Sequence, residues 1–249
     1  MFFAPTLLAL TPPCLRNDVR VLCLSSGNAD GLGSIRTNEL VKSCEELGVV
    51  DAVAAEGRDR LGRVVVMENP QLQDGMGIVW PAQVISSVLH TVLGTWDRQE
   101  AGPGKVDQLS EWSPHLLITF DSSGISGHSN HISTLSGAKE YIHTLTTETK
   151  PRLYTLASIS ILRKYTSILD FPLTYIVSKF SSRDQWVFVN TLEQFWRARR
   201  AMTHAHKSQM RWFRWGWIWA SRYMVLNNLV EEVPDLGLLK DKEGAEEEL

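Results

Sequence analysis

Leu116 to His131 reads L-L-I-T-F-D-S-S-G-I-S-G-H-S-N-H: an apolar run, an aspartate, two glycines and two histidines three residues apart. Leu116 to Phe120 is short, apolar and contains a β-branched pair, the pattern of a buried parallel strand. Asp121 stands where that strand ends, and Gly124 and Gly127 break the chain into a loop. With a helix starting near His128, His128 and His131 share one face and reach one small volume at the carboxyl edge of a sheet, where α/β enzymes place their chemistry. The pair suits one metal ligand plus one acid or oxyanion donor. The competing reading is that both imidazoles only cap and pack the start of the helix.

Outward from this segment the same alternation repeats. Val19 to Ser25 reads as a strand, and G-N-A-D-G-L-G at 27 to 33 is a loop that matches neither the dinucleotide nor the P-loop spacing. Ile35 to Leu47 has a helical period with Ile35, Leu40, Cys44 and Leu47 near one face, and Gly48 stops it. Val64 to Met67 is a second strand ending at Glu68, followed by a polar loop at Gln71 to Gly77 and a helix over Pro81 to Leu93. Residues 97 to 112 read as a solvated insertion. Ser133 to Thr146 continues the helix that the histidines open, and Leu153 to Ile159 gives another strand; 167 to 177 is apolar and left unassigned. Strands alternating with helices predict an α/β, doubly wound, mainly parallel sheet.

The 249 residues suffice for one sizeable domain, and 43% hydrophobic with 21% charged residues is ordinary for a folded core. A net charge of −3 supplies no general attraction to nucleic acid. Cys14, Cys23 and Cys44 lack C-x-x-C spacing, so neither a disulfide framework nor a structural zinc knot is indicated, and a reducing compartment fits best. No apolar run has the length of a transmembrane helix. Met1 to Leu10, M-F-F-A-P-T-L-L-A-L, lacks the basic flank of a signal peptide and reads as a buried helix. The last third changes composition: Thr191 to His206 is helical and basic, and M-R-W-F-R-W-G-W-I-W-A-S-R-Y-M at 210 to 224 interleaves tryptophan with arginine. That mixture suits a helix at a membrane interface, or else a helix packed across the sheet with its arginines outward. Residues 240 to 249 form an acidic tail, expected to be disordered.

Taken in order, L-C-L-S-S-G-N, G-S-I-R-T-N-E-L-V-K-S-C-E-E-L-G, F-D-S-S-G-I-S-G-H-S-N-H, L-R-K-Y-T-S-I-L-D and S-R-Y-M resemble the N-acetylglucosaminyl-phosphatidylinositol de-N-acetylase family, the PIG-L branch of the LmbE-like deacetylases. The resemblance runs from about residue 1 to residue 233, which sets the expected deacetylase domain, with 234 to 249 as the tail. It implies a Rossmann-like fold and zinc-dependent hydrolysis of the acetamide of N-acetylglucosaminyl-phosphatidylinositol in glycolipid-anchor synthesis. The implied setting is the cytosolic face of the endoplasmic reticulum membrane, with the glycolipid and the membrane surface as partners.

The resemblance also implies roles. His131 matches the last metal ligand of the family's H-x-x-H. His128 matches the histidine that steadies the oxyanion or protonates the leaving amine. Arg36 matches the arginine of R-x-x-E-L, near the substrate's polar groups, and Glu68 stands where relatives carry an acidic sugar-binding residue. Asp121 and Asn130 fit roles orienting the loop or a histidine. The H-P-D-D-E block that supplies two further ligands and the general base in the family is not found in the sequence. Two of about three expected zinc ligands are therefore missing. The expectation is a chain lacking the sheet's first strand, truncated ahead of Met1 and of doubtful activity. Two alternatives follow: a non-catalytic relative that still binds glycolipid or a partner, and a membrane-peripheral module built on 191 to 224.

Overall fold

The computed structural model describes residues 2–50, 61–101, 116–146 and 150–233. The acidic tail and most of the insertion expected at 97 to 112 lie outside them; residues 97 to 101 continue a helix instead.

The chain opens on α1 (Ala4–Leu10), with Pro5 in its first turn, and runs through β1 (Val21–Cys23), α2 (Gly33–Glu46), β2 (Val64–Val66) and α3 (Ala82–Ala101). β3 (Leu116–Phe120) is followed by a distorted helical turn, α4 (Gly124–Gly127), and by α5 (Ser129–Thr144). β4 (Arg152–Leu156), α6 (Ile161–Lys164), α7 (Phe171–Lys179), β5 (Gln185–Val189), α8 (Leu192–Arg200), α9 (Trp212–Ala220) and β6 (Leu226–Glu232) complete the order. Thr191 and Gln194 form a reciprocal capping box that starts α8. The helix expected to run to His206 gives way after Arg200 to a wider π turn, Ala201–Ala205.

The expected α/β class is present, with parallel strands in both sheets. β1 pairs with β2 in one two-stranded parallel sheet; the other sheet has the order β3-β4-β6-β5. β3 and β4 are parallel, whereas β6 runs antiparallel to both β4 and β5. Among the described residues no ladder joins β1 to β3. That corrects one detail: Leu116 to Phe120 is a half-buried edge strand, because it is paired on one side only, while Leu153 to Leu156 of β4 are buried.

One core unites the two sheets through α3 and α5. Leu24 and Val65 pack with Trp80, Ile85, Trp96, Leu135, Tyr141 and Leu153. The helices cross so closely at Gly137 that an added Cβ would lie 2.3 Å from the Ile85 side chain, so only glycine fits. A second core gathers Leu8, Leu47, Ala198, Met202, Ile218 and Met224.

α1 is pinned to β6 by Asn227, which is fully buried. Its Oδ1 accepts from Thr6 N at 3.1 Å and Thr6 Oγ1 at 2.8 Å, and its Nδ2 donates to Phe2 O at 2.9 Å. Asn227→Leu leaves those groups unpaired and is expected to cost about 2 to 4 kcal/mol, read as a lower urea midpoint at unchanged slope.

His206, buried beside the π turn, has its imidazole pushed down to about 4 by burial. The unfolded chain therefore takes up the proton first. Stability is full above pH 6.5 and falls as pH drops toward 4, by about 3 kcal/mol for a shift of this size. His206→Gln is expected to remove that decline when unfolding is compared at pH 7 and pH 4.5.

Candidate active site

The loop after β3 is built to present α5. Asp121 closes it from below: Oδ2 accepts from Ser158 N and Oδ1 from Ser158 Oγ, both at 2.6 Å, and Oδ1 also caps Ser123 N at 3.1 Å. Ser158 Oγ in turn lies 2.8 Å from the Ile125 amide, which donates to it. Ile125 sits at φ 65°, a left-handed conformation that a β-branched residue adopts only when its surroundings impose it, at a cost of order 1 to 3 kcal/mol. Asp121 thus ties the loop to Ser158, which the sequence reading had not singled out.

His128 is the N-cap of α5, and its Nδ1 accepts from Asn130 N at 3.3 Å. The capping reading is therefore correct as far as it goes. It also fixes the tautomer, because a ring nitrogen that accepts leaves the proton on Nε2, and Nε2 lies 3.9 Å from Asp74 Oδ1. Asn130, buried, donates from Nδ2 to the same Asp74 Oδ1 at 2.9 Å, while its own Oδ1 has no hydrogen-bond partner among the described residues.

His131 stacks on Phe120, ring centroids 3.9 Å apart, and stands 4.9 Å from the His128 ring. Its Nδ1 meets the Gly124 carbonyl at 3.1 Å; a carbonyl only accepts, so Nδ1 carries the proton and Nε2 keeps a free lone pair. Burial holds this imidazole below its usual range, though the Gly124 carbonyl raises it, so it stays neutral. A carbonyl-oriented neutral histidine with an open Nε2 has the form of a metal ligand.

Arg36 reaches the same end of the sheet from α2. It donates from Nη1 to Gly27 O, and its Nη2 pairs with Asp30 at 2.6 Å. Gly27 separates Arg36 from Asp74: a Cβ there would lie 3.3 Å from Arg36 Nη1 and 3.7 Å from Asp74 Oδ2. Arg36, Asp74, His128, Asn130 and His131 are therefore brought together. Glu68 is exposed, and no contact places it with the histidines; Asp74, in the loop after β2, is the carboxylate that meets them. Asp74 was missed because it sits in a polar loop more than fifty residues before its partners.

Among the described residues no three histidine, cysteine, aspartate or glutamate side chains converge on one point. His131 Nε2 is one suitable atom, but a catalytic zinc needs about three protein ligands. The described residues do not complete a zinc site.

Residues 1–142 match the family model for PIG-L, GlcNAc-PI de-N-acetylase. The chain is 36% identical to a probable N-acetylglucosaminyl-phosphatidylinositol de-N-acetylase of Schizosaccharomyces pombe, over 92% of this chain and 80% of that protein. It is 34% identical to the enzyme of that name from Bos taurus, over 92% and 77%, and 32% identical to that of Arthroderma benhamiae, over 94% and 83%. On both the family model and these relatives, the chain belongs to the PIG-L family of GlcNAc-PI de-N-acetylases.

Proposed function

We propose that this protein hydrolyses the N-acetyl group of N-acetylglucosaminyl-phosphatidylinositol, giving glucosaminyl-phosphatidylinositol and acetate in GPI-anchor biosynthesis. The observation that carries the reading is the convergence of His128, His131, Asp74 and Asn130 at the carboxyl end of β3 in a chain of this family. Attack of water on the acetyl carbonyl places negative charge on its oxygen, and the amine then leaves with the proton that the water gives up. His128 carries a hydrogen on Nε2 that can be donated to that oxygen, and Asp74 Oδ1 stands 3.9 Å from the same nitrogen. Arg36 would hold polar groups of the substrate, and Asn130 Oδ1, buried and without a hydrogen-bond partner among the described residues, is a ready acceptor for a sugar hydroxyl. Asp121 and Asn130 position the loop and the Asp74 carboxylate; Glu68 takes no part in this arrangement.

The substrate's lipid sets the rest of the proposal: a membrane surface as partner, and the cytosolic face of the endoplasmic reticulum as the place of work. Residues 1–233 act as one deacetylase domain and 234–249 as a tail.

A second reading, glycolipid binding without turnover, is favoured by one observation, the absence of a three-ligand cluster among the described residues. Mass analysis of the glycolipid after incubation with the purified protein separates the two. Loss of the acetyl group with release of acetate supports hydrolysis. Retention on the glycolipid with the acetyl group intact supports binding alone.

A further inference from the structure

The hairpin from α6 to α7 is built inside out. Its buried side is ionic: Asp170, 3% exposed, takes Arg163 Nε at 2.6 Å and stands 2.9 Å from Nε of Arg222, itself 1% exposed. Its outer side is apolar, with Leu162 80%, Leu169 79% and Phe180 87% exposed. α9 continues this surface: Ile218 alone is buried, while Trp212, Phe213, Trp215 and Trp219 stand in the open. Contiguous exposure on this scale marks an interaction site. Charge says what covers it. Apart from Arg163 and Arg222, which pair with Asp170 on the buried side, residues 161–183 and 207–222 hold six lysines and arginines and no further acid, in a chain of net charge −3. Exposed tryptophan and aliphatic side chains ringed by uncompensated cations fit the surface of an anionic bilayer.

The face also leads inward. A groove of about 490 Å³ lies between α6 and α9, lined by Tyr165, Trp212, Phe213, Gly216 and Trp217. Trp217 meets the Phe2 ring edge-on at 5.7 Å, and Phe2 meets His131 at 5.9 Å. Lys164 Nζ stands 6.0 Å over that same Phe2 ring and has no ion-pair partner among the described residues. Burial pushes its ammonium below the usual range, a cost that an anion placed against it would relieve.

We propose that α6, α7 and α9 form the surface on which the protein lies against an anionic bilayer, that the groove admits the apolar part of one phospholipid, and that Lys164 takes its phosphodiester. This rests on the glycolipid reading above for the identity of that phospholipid. The lipid's headgroup then faces Phe2 and the histidines beyond it.

The test uses vesicles of four parts phosphatidylcholine to one of phosphatidylinositol, and vesicles of phosphatidylcholine alone. The protein is expected to co-sediment with the first, and Leu162→Glu/Leu169→Glu/Leu173→Glu, all at exposed positions, to weaken that affinity roughly tenfold or more. Lys164→Gln is expected to weaken it about fivefold, the usual worth of one basic side chain at such a surface, and Lys164→Arg to restore it. Equal sedimentation of wild type and triple variant would overturn the surface, and an unaffected Lys164→Gln would overturn the phosphodiester site. Failure of the wild type to bind either vesicle would also overturn the proposal and point to a protein covering the face. Hydrolysis of soluble N-acetylglucosaminyl-inositol keeps the two readings apart: its loss in wild type sinks the enzyme but not the surface. Its persistence without vesicle binding sinks the surface but not the enzyme.

Discussion

His128→Ala is expected to slow acetate release from N-acetylglucosaminyl-phosphatidylinositol by about a hundredfold or more, the usual cost of losing one oxyanion donor. The loss should fall on kcat rather than KM, because the Nε2 hydrogen acts on charge that develops only as water attacks. Folding should suffer little in comparison. The cap to Asn130 N is one hydrogen bond at 3.3 Å, and an N-cap is worth about 1 kcal/mol. His128→Asn separates the two roles, since asparagine also caps helices but places no donor where Nε2 stands. The asparagine variant should recover stability and remain slow, as assayed by thermal unfolding and by acetate release on the same preparations. Equal rates in wild type and His128→Ala would return His128 to the capping role alone.

Asp170→Ala is expected to be the most damaging single change outside that site, costing about 3 to 5 kcal/mol. Burial by itself raises the Asp170 carboxyl, but hydrogen bonds from Arg163 and Thr174 and the nearby Arg222 bring it below the usual range, so it is ionised in the fold. Thr174 Oγ1 donates to Asp170 Oδ2 at 2.7 Å and accepts from Arg222 Nη2 at 3.1 Å. Removing the carboxylate strands the buried Arg222 guanidinium without its counter-charge, and a charge in that position costs far more than the lost contact. For a chain of this length the thermal midpoint should fall by about 10 °C or more. The double change Asp170→Leu/Arg222→Met, which removes both charges and keeps the volume, is expected to recover most of the loss. A double variant as unstable as Asp170→Ala would mean that the ions themselves hold the hairpin. The sign with pH is that of a depressed carboxylate: this stabilisation is present above about pH 4 and fades as the group protonates below it.

The strand, loop and helix from Leu116 to His131 were legible because they are local: an apolar run, two glycines, and histidines at helical spacing. The two parallel strand-helix units before them were legible for the same reason. β5 and β6 were not. Leu226 to Glu232 carries Asn227 and Asn228 in the middle of a buried strand, which breaks any hydrophobic pattern, and Asn227 is there to hold α1, more than two hundred residues away. Asp74 was hidden in the same manner, since nothing in a polar loop announces a partner on a distant helix. The segment at 167 to 177 could not be assigned because its amphipathicity is inverted; the apolar side chains that normally mark a core face outward, over an ionic interior. The tryptophans of 210 to 224 posed a choice between core and membrane, and most are exposed, though Arg199 lies inward, its guanidinium stacked 3.4 Å from the Trp219 ring centre.

The most direct test of the account is to incubate the purified protein with N-acetylglucosaminyl-phosphatidylinositol in detergent micelles, beside the double variant His128→Ala/His131→Ala, and to count both products. The account predicts acetate and free amine in equal amounts from the wild type and almost none from the variant. Equal product from both proteins, or none from either, would contradict it.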